Sequence, residues 1–469
     1  MNVAKCSPEA ITELLRNPLP LRLARGEDLN VLRPVQYLGN KQRSLGVILS
    51  AIEDLVSQGD AVFDLFSGTS VVSQGLTALG LKVSAVDVST ACCAMAQATL
   101  GVGRSNWMGS PSEMISSWQQ ASASPYEELT SKFAPWIGLE ELALQARDGK
   151  ALISAGQRVP QVWRTEGAES NLLRLFSTWN DAALLGSQRS LALLSPVVAG
   201  SYLGIEQAVT VDARRKAITE MVERGEIDGW QSSVMITALL AATSKAAYSP
   251  GKHFAQPHRT DASKNLNFHS GRALADRSVD IATTAEEFVR LLFRRPRPEQ
   301  ASEVLQMPVN EINADELKSR NVHLVYADPP YTAQQYSRFY HVLDTLALGV
   351  PHPLQIYRGA VTSGLYPNGR YFSPFCSKRQ ATPAFEELAT TCYDAGATMV
   401  LSYSTSANGS TGNQRMISLD ELCKIFFEVY GSAAVEVREL AHGYRQFNSG
   451  DSARPSRDDP EVLLIAHAA

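Results

Sequence analysis

The sequence predicts an α/β fold: a mostly parallel sheet with its last strand antiparallel, plus a large, mainly helical insertion. Three observations predict it. Short apolar runs that fit buried strands alternate with stretches of helical spacing at both ends of the chain. Two of those runs, one starting at Ala61 and one at Val322, end in polar turns of unusual composition. Between them lies far more chain than one α/β sheet uses, and its apolar residues recur at intervals of three and four.

The first element is Gln36-Tyr37-Leu38-Gly39-Asn40-Lys41-Gln42-Arg43, followed by an amphipathic helix from Leu45 to Val56. A strand beginning at Ala61 then runs into the small-residue turn Asp64-Leu65-Phe66-Ser67-Gly68-Thr69-Ser70. A helix over Val71 to Leu79 and a strand over Lys82 to Val86, closed by Asp87, complete a βαβ nucleotide half-unit. Gly68 permits close backbone approach to a ligand. Asp87, 23 positions after Asp64, stands where a carboxylate accepts both hydroxyls of a ribose. A pyrophosphate needs a GxGxxG cradle, which is absent here. S-adenosylmethionine carries no phosphate, so the turn favours that methyl donor over NAD.

The insertion begins near residue 105, and the polar stretch Gln119 to Pro125 reads as a junction. Helices are expected over Ala208 to Arg224 and Gln231 to Tyr248, with Gly225 and Gly229 between them. The longest apolar stretch, Leu191 to Ile205, is interrupted by Ser195, Pro196 and Ser201 and reads as a buried helix pair, not a membrane span. After a helix over Ala285 to Phe293 comes Arg294-Arg295-Pro296-Arg297-Pro298, either a solvated linker or a phosphate-contacting edge. The segment Lys252 to Arg259 carries the same two readings. Its histidines are read as loop polar groups, since no acidic or cysteine partner stands at metal-ligand spacing.

The second half-unit ends in Asp328-Pro329-Pro330-Tyr331, capping the strand Val322-His323-Leu324-Val325-Tyr326-Ala327. This tetrapeptide suits a methyl-acceptor site. The amino group of adenine is a poor nucleophile, because its lone pair is delocalised into the ring. Two acceptors at fixed spacing, the Asp328 carboxylate and the Pro329 carbonyl, can take one amino hydrogen each and hold the nitrogen towards sp3 geometry. Pro329 and Pro330 keep the turn rigid, and Tyr331 offers a ring for an extruded base to stack on. Upstream, Asp315 in Asn313-Ala314-Asp315 is either a contact to the cofactor's adenine moiety or part of a helix cap. Downstream, the stretch from Tyr336 opens a helix running to Leu348, and Arg338 is a candidate for a DNA phosphate.

Residues 351–380 form a loop rich in Pro, Gly and Ser, in which Tyr357, Tyr366, Tyr371, Phe372 and Phe375 alternate with Arg358, Arg370, Lys378 and Arg379. That mixture suits stacking plus phosphate contact around a flipped nucleotide. Cys376 does not point to cytosine-C5 chemistry, which needs Pro-Cys directly adjacent; here Phe375 intervenes. A strand over Thr398 to Ser404, a helix over Leu419 to Tyr430 and strands over Val435 to Leu440 and Val462 to Ala466 complete the sheet. The loop Asn448 to Arg457 between the last two is either solvated or reaches DNA.

With 469 residues the chain is long enough for two or three domains, and a net charge of −5 argues against one that coats nucleic acid nonspecifically. Six scattered cysteines without a CxxC pair give neither a zinc site nor a disulfide framework, which fits a reducing cytoplasm. The N-terminus lacks a signal pattern.

Tyr37-x-Gly39-x-Lys41, then Asp64-x-Phe66-x-Gly68, then Asp87, then Asp328-Pro329-Pro330-Tyr331 is an ordered set that resembles the Dam-type, alpha-order adenine-N6 DNA methyltransferases. Ser373 to Lys378 also resembles a segment of that family's long members. One departure is Ser70, where the family has a second glycine. The resemblance implies a Rossmann-like S-adenosylmethionine-dependent methyltransferase sheet, with the catalytic domain in 1–104 and 311–469 and an inserted target recognition domain in 105–310. It implies cofactor binding by Tyr37, Lys41, Asp64, Phe66, Ser67, Gly68, Asp87 and Asp315, and catalysis by Asp328, Pro329, Pro330 and Tyr331. Double-stranded DNA is the implied substrate, in restriction-modification, phage defence or regulation, and a restriction or defence-system partner is open. No metal and no membrane are implied. The alternatives are an RNA adenine methyltransferase and a catalytically silent nucleic-acid-binding subunit.

Overall fold

The computed structural model describes residues 31–103, 109–188, 190–258, 266–295, 298–404, 415–444 and 459–468. Seven strands make one sheet: β1 Ala61–Leu65, β2 Lys82–Asp87, β3 Glu303–Gln306, β4 Val322–Ala327, β5 Thr398–Ser404, β6 Val435–Tyr444 and β7 Asp459–Ala466. Their spatial order is β3-β2-β1-β4-β5-β7-β6. All pairings are parallel except those of β7, which runs antiparallel between β5 and β6. The expected α/β sheet with its last strand antiparallel is therefore found.

The inner strands are apolar on both faces because both faces are covered. Val62, Val83, Leu324, Val400 and Ile465 meet helices α1 (Leu45–Glu53) and α2 (Val71–Ala78) on one side. Phe63, Val325, Met399, Leu401 and Leu464 point to the opposite side, the alternation that the pleat imposes. There they meet two helices, Ala381–Ala395 and Leu419–Tyr430.

From β1 the chain runs outward to β2 and β3 on one side, while β4 lies on the other. The switch point is thus between β1 and β4, whose register pairs Asp64 with Tyr326 and Leu65 with Ala327. At such a point the carboxyl ends of neighbouring strands splay apart and leave a crevice. The turns after β1, β2 and β4 all open into it.

The inserted helices do not form a separate lobe. Helices α3 (Thr90–Leu100), α4 (Pro111–Gln145), α5 (Ile205–Glu223), α6 (Gly229–Ala246), α7 (Ile281–Arg294) and α8 (Ser337–Leu348) share one apolar core. Within it, Cys92 and Met95 of α3 and Leu343 and Leu346 of α8 pack with Val209 of α5 and Leu239 of α6. Polar contacts tie the same helices: Arg215 Nε donates to Leu346 O at 2.7 Å and its Nη2 to Ala347 O at 3.1 Å, satisfying carbonyls that the end of α8 leaves over.

Four expectations need correction. Gln119 to Pro125 is no junction, because it lies inside α4, where Trp118, Ser122, Pro125, Leu129 and Phe133 form a buried stripe at helical spacing and the polar residues face outward. Leu191 to Ile205 is not a helix pair. It holds one helical turn, Ser195–Val198, since Pro196 and Gly200 (φ +75°) break the run. Its buried backbone is satisfied by Asp212, which accepts from Leu194 N at 2.7 Å and Ser195 N at 2.9 Å. Gly200 lies against Gly156 so closely that a Cβ would meet its carbonyl oxygen at 2.3 Å. Strand β3 was not expected, being only Glu-Val-Leu-Gln in sequence, and it lies before residue 310, so the 105–310 segment rejoins the sheet before its end. Residues 351–380 contain a hairpin pairing Ile356–Tyr357 with Ala360–Val361 and a short 3-10 turn, Pro374–Cys376. Arg259, Pro296, Arg297 and the loop Asn448 to Arg457 lie outside the described residues.

Candidate active site

A cavity of 310 Å³ opens at the switch point. Its floor is the turn after β1. Phe66 (φ +62°), Gly68 (φ +52°) and Ser70 (φ +54°) all take left-handed backbone, the conformation that costs a residue with Cβ roughly 1–2 kcal/mol. Ser70, the departure from the expected glycine, keeps the geometry a glycine would adopt; its Oγ bonds to Thr69 O at 2.8 Å. At Gly68 a Cβ would come within 3.0 Å of the Tyr37 ring. Glycine thus lets Tyr37 close over the turn. Tyr37 in turn stacks on Tyr340 with centroids 4.4 Å apart and planes at 13°.

The turn is fixed electrostatically by the end of β2. Asp87 accepts from Gly68 N at 2.9 Å and Ser89 N at 2.9 Å, so its carboxylate stands at the cavity wall. Burial raises it to about 6 against these two hydrogen bonds. Asp64 is raised to about 7, again by burial, and bonds Ser73 Oγ of α2. Asp344 of α8 accepts from Ser89 Oγ at 2.5 Å and from Ala91 N at 3.1 Å.

The other wall is the end of β4. Asp328 forms an ion pair with Lys41 at 3.0 Å, and Lys41 also pairs with Glu461 of β7 at 2.9 Å. Asp328 is raised to about 6: burial and Glu461 push it up, Lys41 holds it down. Tyr326 Oη, two residues back on the same strand face, is buried without a hydrogen-bond partner among the described residues.

Tyr37, Lys41, Asp64, Phe66, Ser67, Gly68, Asp87, Asp328 and Pro330 all border the one cavity. Pro329 does not line it. Neither does Tyr331, which is 8% exposed, with the Arg415 guanidinium 4.6 Å over its ring and Tyr403 at its edge. Asp315 lies outside, in the first turn of a short helix capped by Asn313; Pro308 and Val309 line the cavity instead. Of the cations, Arg358, Lys378 and Arg379 are exposed away from the cavity. Arg338 donates twice to Tyr366 Oη at 3.2 Å, and Arg370, which does line the cavity, lies 4.7 Å from the Tyr366 ring centroid.

Sequence reasoning missed Glu461, Tyr326, Asp344 and the pair Tyr336 and Tyr340. Glu461 carried a faint signal, a carboxylate opening an apolar run, while Tyr340 looked like an ordinary core aromatic. No group of three or more potential metal ligands occurs among the described residues, and none of their helices is long and apolar enough to cross a membrane.

A modification methylase, LlaI, of Lactococcus lactis subsp. lactis is 28% identical over 255 residues, covering 54% of this chain and 34% of that protein. The match therefore spans about a third of the relative's length. No protein-family model and no solved structure matches the chain.

Proposed function

We propose that this chain is an S-adenosylmethionine-dependent DNA methyltransferase acting on the N6 amino group of adenine. One observation carries the reading: the ribose-type carboxylate Asp87, the glycine turn, and Asp328 and Pro330 of the turn after β4 line one cavity at the switch point between β1 and β4. The likeness to a modification methylase supports the methyltransferase part of this reading.

The residues fit the cofactor. The Asp87 carboxylate suits ribose hydroxyls, the closed Tyr37–Tyr340 stack suits a flat ring edge, and the turn carries no cation of the kind that cradles phosphate. S-adenosylmethionine supplies an electrophilic methyl group. The chain's own task is to orient the acceptor: Asp328 and the Pro329 carbonyl accept the amino hydrogens, and the paired prolines hold that spacing. Because Asp328 accepts as a carboxylate and is raised to about 6, transfer falls as pH drops through that value.

The test is label transfer from S-adenosylmethionine to duplex DNA, RNA and protein under matched conditions, with the modified base identified. Label on adenine N6 of DNA is expected; label in RNA alone or on cytosine overturns the reading.

A further inference from the structure

Lys41 holds two carboxylates where one would neutralise it. Its Nζ lies 3.0 Å from Asp328 and 2.9 Å from Glu461, with side-chain exposures of 5% for Lys41, 19% for Asp328 and 5% for Glu461. The three come from distant parts of the chain, the 3-10 turn Lys41–Arg43, the end of β4 and β7. Glu461 sits within the sheet, in register with Ser404 on one side and Leu440 on the other, and opens the run Val462-Leu463-Leu464-Ile465.

A lysine and one carboxylate make a neutral buried pair; a second carboxylate leaves excess negative charge in a poorly solvated place. Glu461's other oxygen receives a neutral donor, Ser44 Oγ at 3.3 Å. The further groups facing this cluster among the described residues are Asp64 from β1, Tyr326 from β4 and Tyr331 beyond it, none of them a cation. Arg415, over the Tyr331 ring, is engaged with Ser404 through Nη2 to Oγ at 2.6 Å. An apolar residue at 461 would pack as its neighbours do, so the carboxylate has another role.

We propose that Glu461 is a positioning residue for methyl transfer: it shares the Lys41 ammonium, so that Asp328 is held in place yet stays basic enough to take the proton that the methylated amino group releases. The inference rests on the methyltransferase reading. As the N6 lone pair forms the N–C bond, the C–S bond breaks and its electron pair stays on sulfur. The nitrogen, now cationic, gives up one proton to a carboxylate oxygen of Asp328, the N–H electron pair remaining on nitrogen. The proton then leaves to solvent. Burial raises the Asp328 carboxyl most and Lys41 pulls it back down; Glu461, by sharing the ammonium, weakens that pull and keeps Asp328 the better acceptor.

The decisive variant is Glu461→Gln, nearly isosteric, whose amide oxygen still accepts from Lys41 but carries no charge. Single-turnover transfer to adenine-unmethylated genomic DNA is followed against pH, with cofactor affinity measured in parallel. The acid limb should move to lower pH and the plateau rate should fall about tenfold to a hundredfold, within the range of one proton-transfer contribution. Cofactor affinity should stay within about twofold. An acid limb that stays in place or moves upward overturns the proposal. If this variant does not fold, Lys41→Met carries the test: its acid limb must move upward, and an unmoved limb overturns the proposal equally. Wild-type protein that transfers no label at any pH instead removes the methyltransferase reading on which the proposal rests.

Discussion

Asp328 can be removed with little harm to the fold, because Lys41 would still be paired by Glu461 and no buried cation would be orphaned. Asp328→Ala should therefore lower transfer by two orders of magnitude or more, the scale set by loss of one preorganised hydrogen-bonding group, with cofactor affinity nearly unchanged. Single-turnover rates and equilibrium cofactor titration check this; a near-normal rate would remove the role given to Asp328. Asp87 and Asp328 stood out in the sequence by their chemistry at strand ends, whereas Lys41 and Asp64 entered only through the family resemblance. A carboxylate that ends a buried strand is costly unless it meets a ligand or a partner, which is consistent with both Asp87 and Asp328 bordering the cavity. Glu461 escaped because it follows Asp459 and Pro460 in sequence, a composition that reads as the end of a loop. Only the sheet order, which inserts β7 beside β5, brings it to Lys41. Of the two readings of Asp315, its place in the first turn of the helix capped by Asn313 fits the local one: an acidic residue near a helix start has an electrostatic explanation and needs no ligand.

Some strands and helices match the expected bounds closely, while others, such as Ile281–Arg294 and Val435–Tyr444, extend up to four residues beyond the expected Ala285 to Phe293 and Val435 to Leu440. Thr398–Ser404 and Leu419–Tyr430 are found as expected, since their periodicity is set by burial of one or both faces. The 351–380 segment was harder, because its order comes from aromatic and guanidinium contacts rather than from periodicity. Arg370 lies 4.7 Å from the Tyr366 ring centroid and 5.1 Å from that of Phe372, while Ile356 and Phe372 remain 60% and 61% exposed. This separates the four cations of the segment that, with Arg338 outside it, are expected to meet DNA. Arg358, Lys378 and Arg379 are exposed and free to reach phosphates, so replacing all three by Ala should weaken binding to every sequence alike. The slope of log affinity against log salt should fall by up to about three, near one for each phosphate that is no longer neutralised. Arg370→Ala should instead disturb the loop beside the cavity and raise KM more than it changes the salt slope. Affinity measured across a salt series decides this, and an unchanged slope in the triple variant would make the segment a solvated connection.

At the scale of the whole molecule, the helical insertion shares its apolar core with α3 and α8, helices outside the 105–310 segment. The long α4 stripe from Trp118 to Phe133 buries into the same core as α3 and α8, and α8 carries Tyr340 and Asp344 to the cavity. The composition suggested a junction near Gln119, because the sequence shows which residues are polar but not that they form the outer face of a helix whose inner face is covered. The packing implies shared stability. Trp118 is fully buried, donates from Nε1 to Arg214 O at 3.0 Å and lies under the Arg214 guanidinium, 5.0 Å from its ring centroid. Trp118→Ala leaves a cavity and removes that bond, a loss of about 3–5 kcal/mol. If the insertion were an independent module, this change would melt it alone and leave the cofactor site standing. With Arg215 fastened to the end of α8 and Trp230 donating to Ala98 O of α3 at 3.3 Å, the two parts should instead unfold together. Helical content, cofactor binding and calorimetric heat followed against temperature should then lose structure in one coincident transition, displaced downward in the variant. A separate early loss of helix with cofactor binding intact would show that the insertion is a unit of its own and that the site does not lean on it.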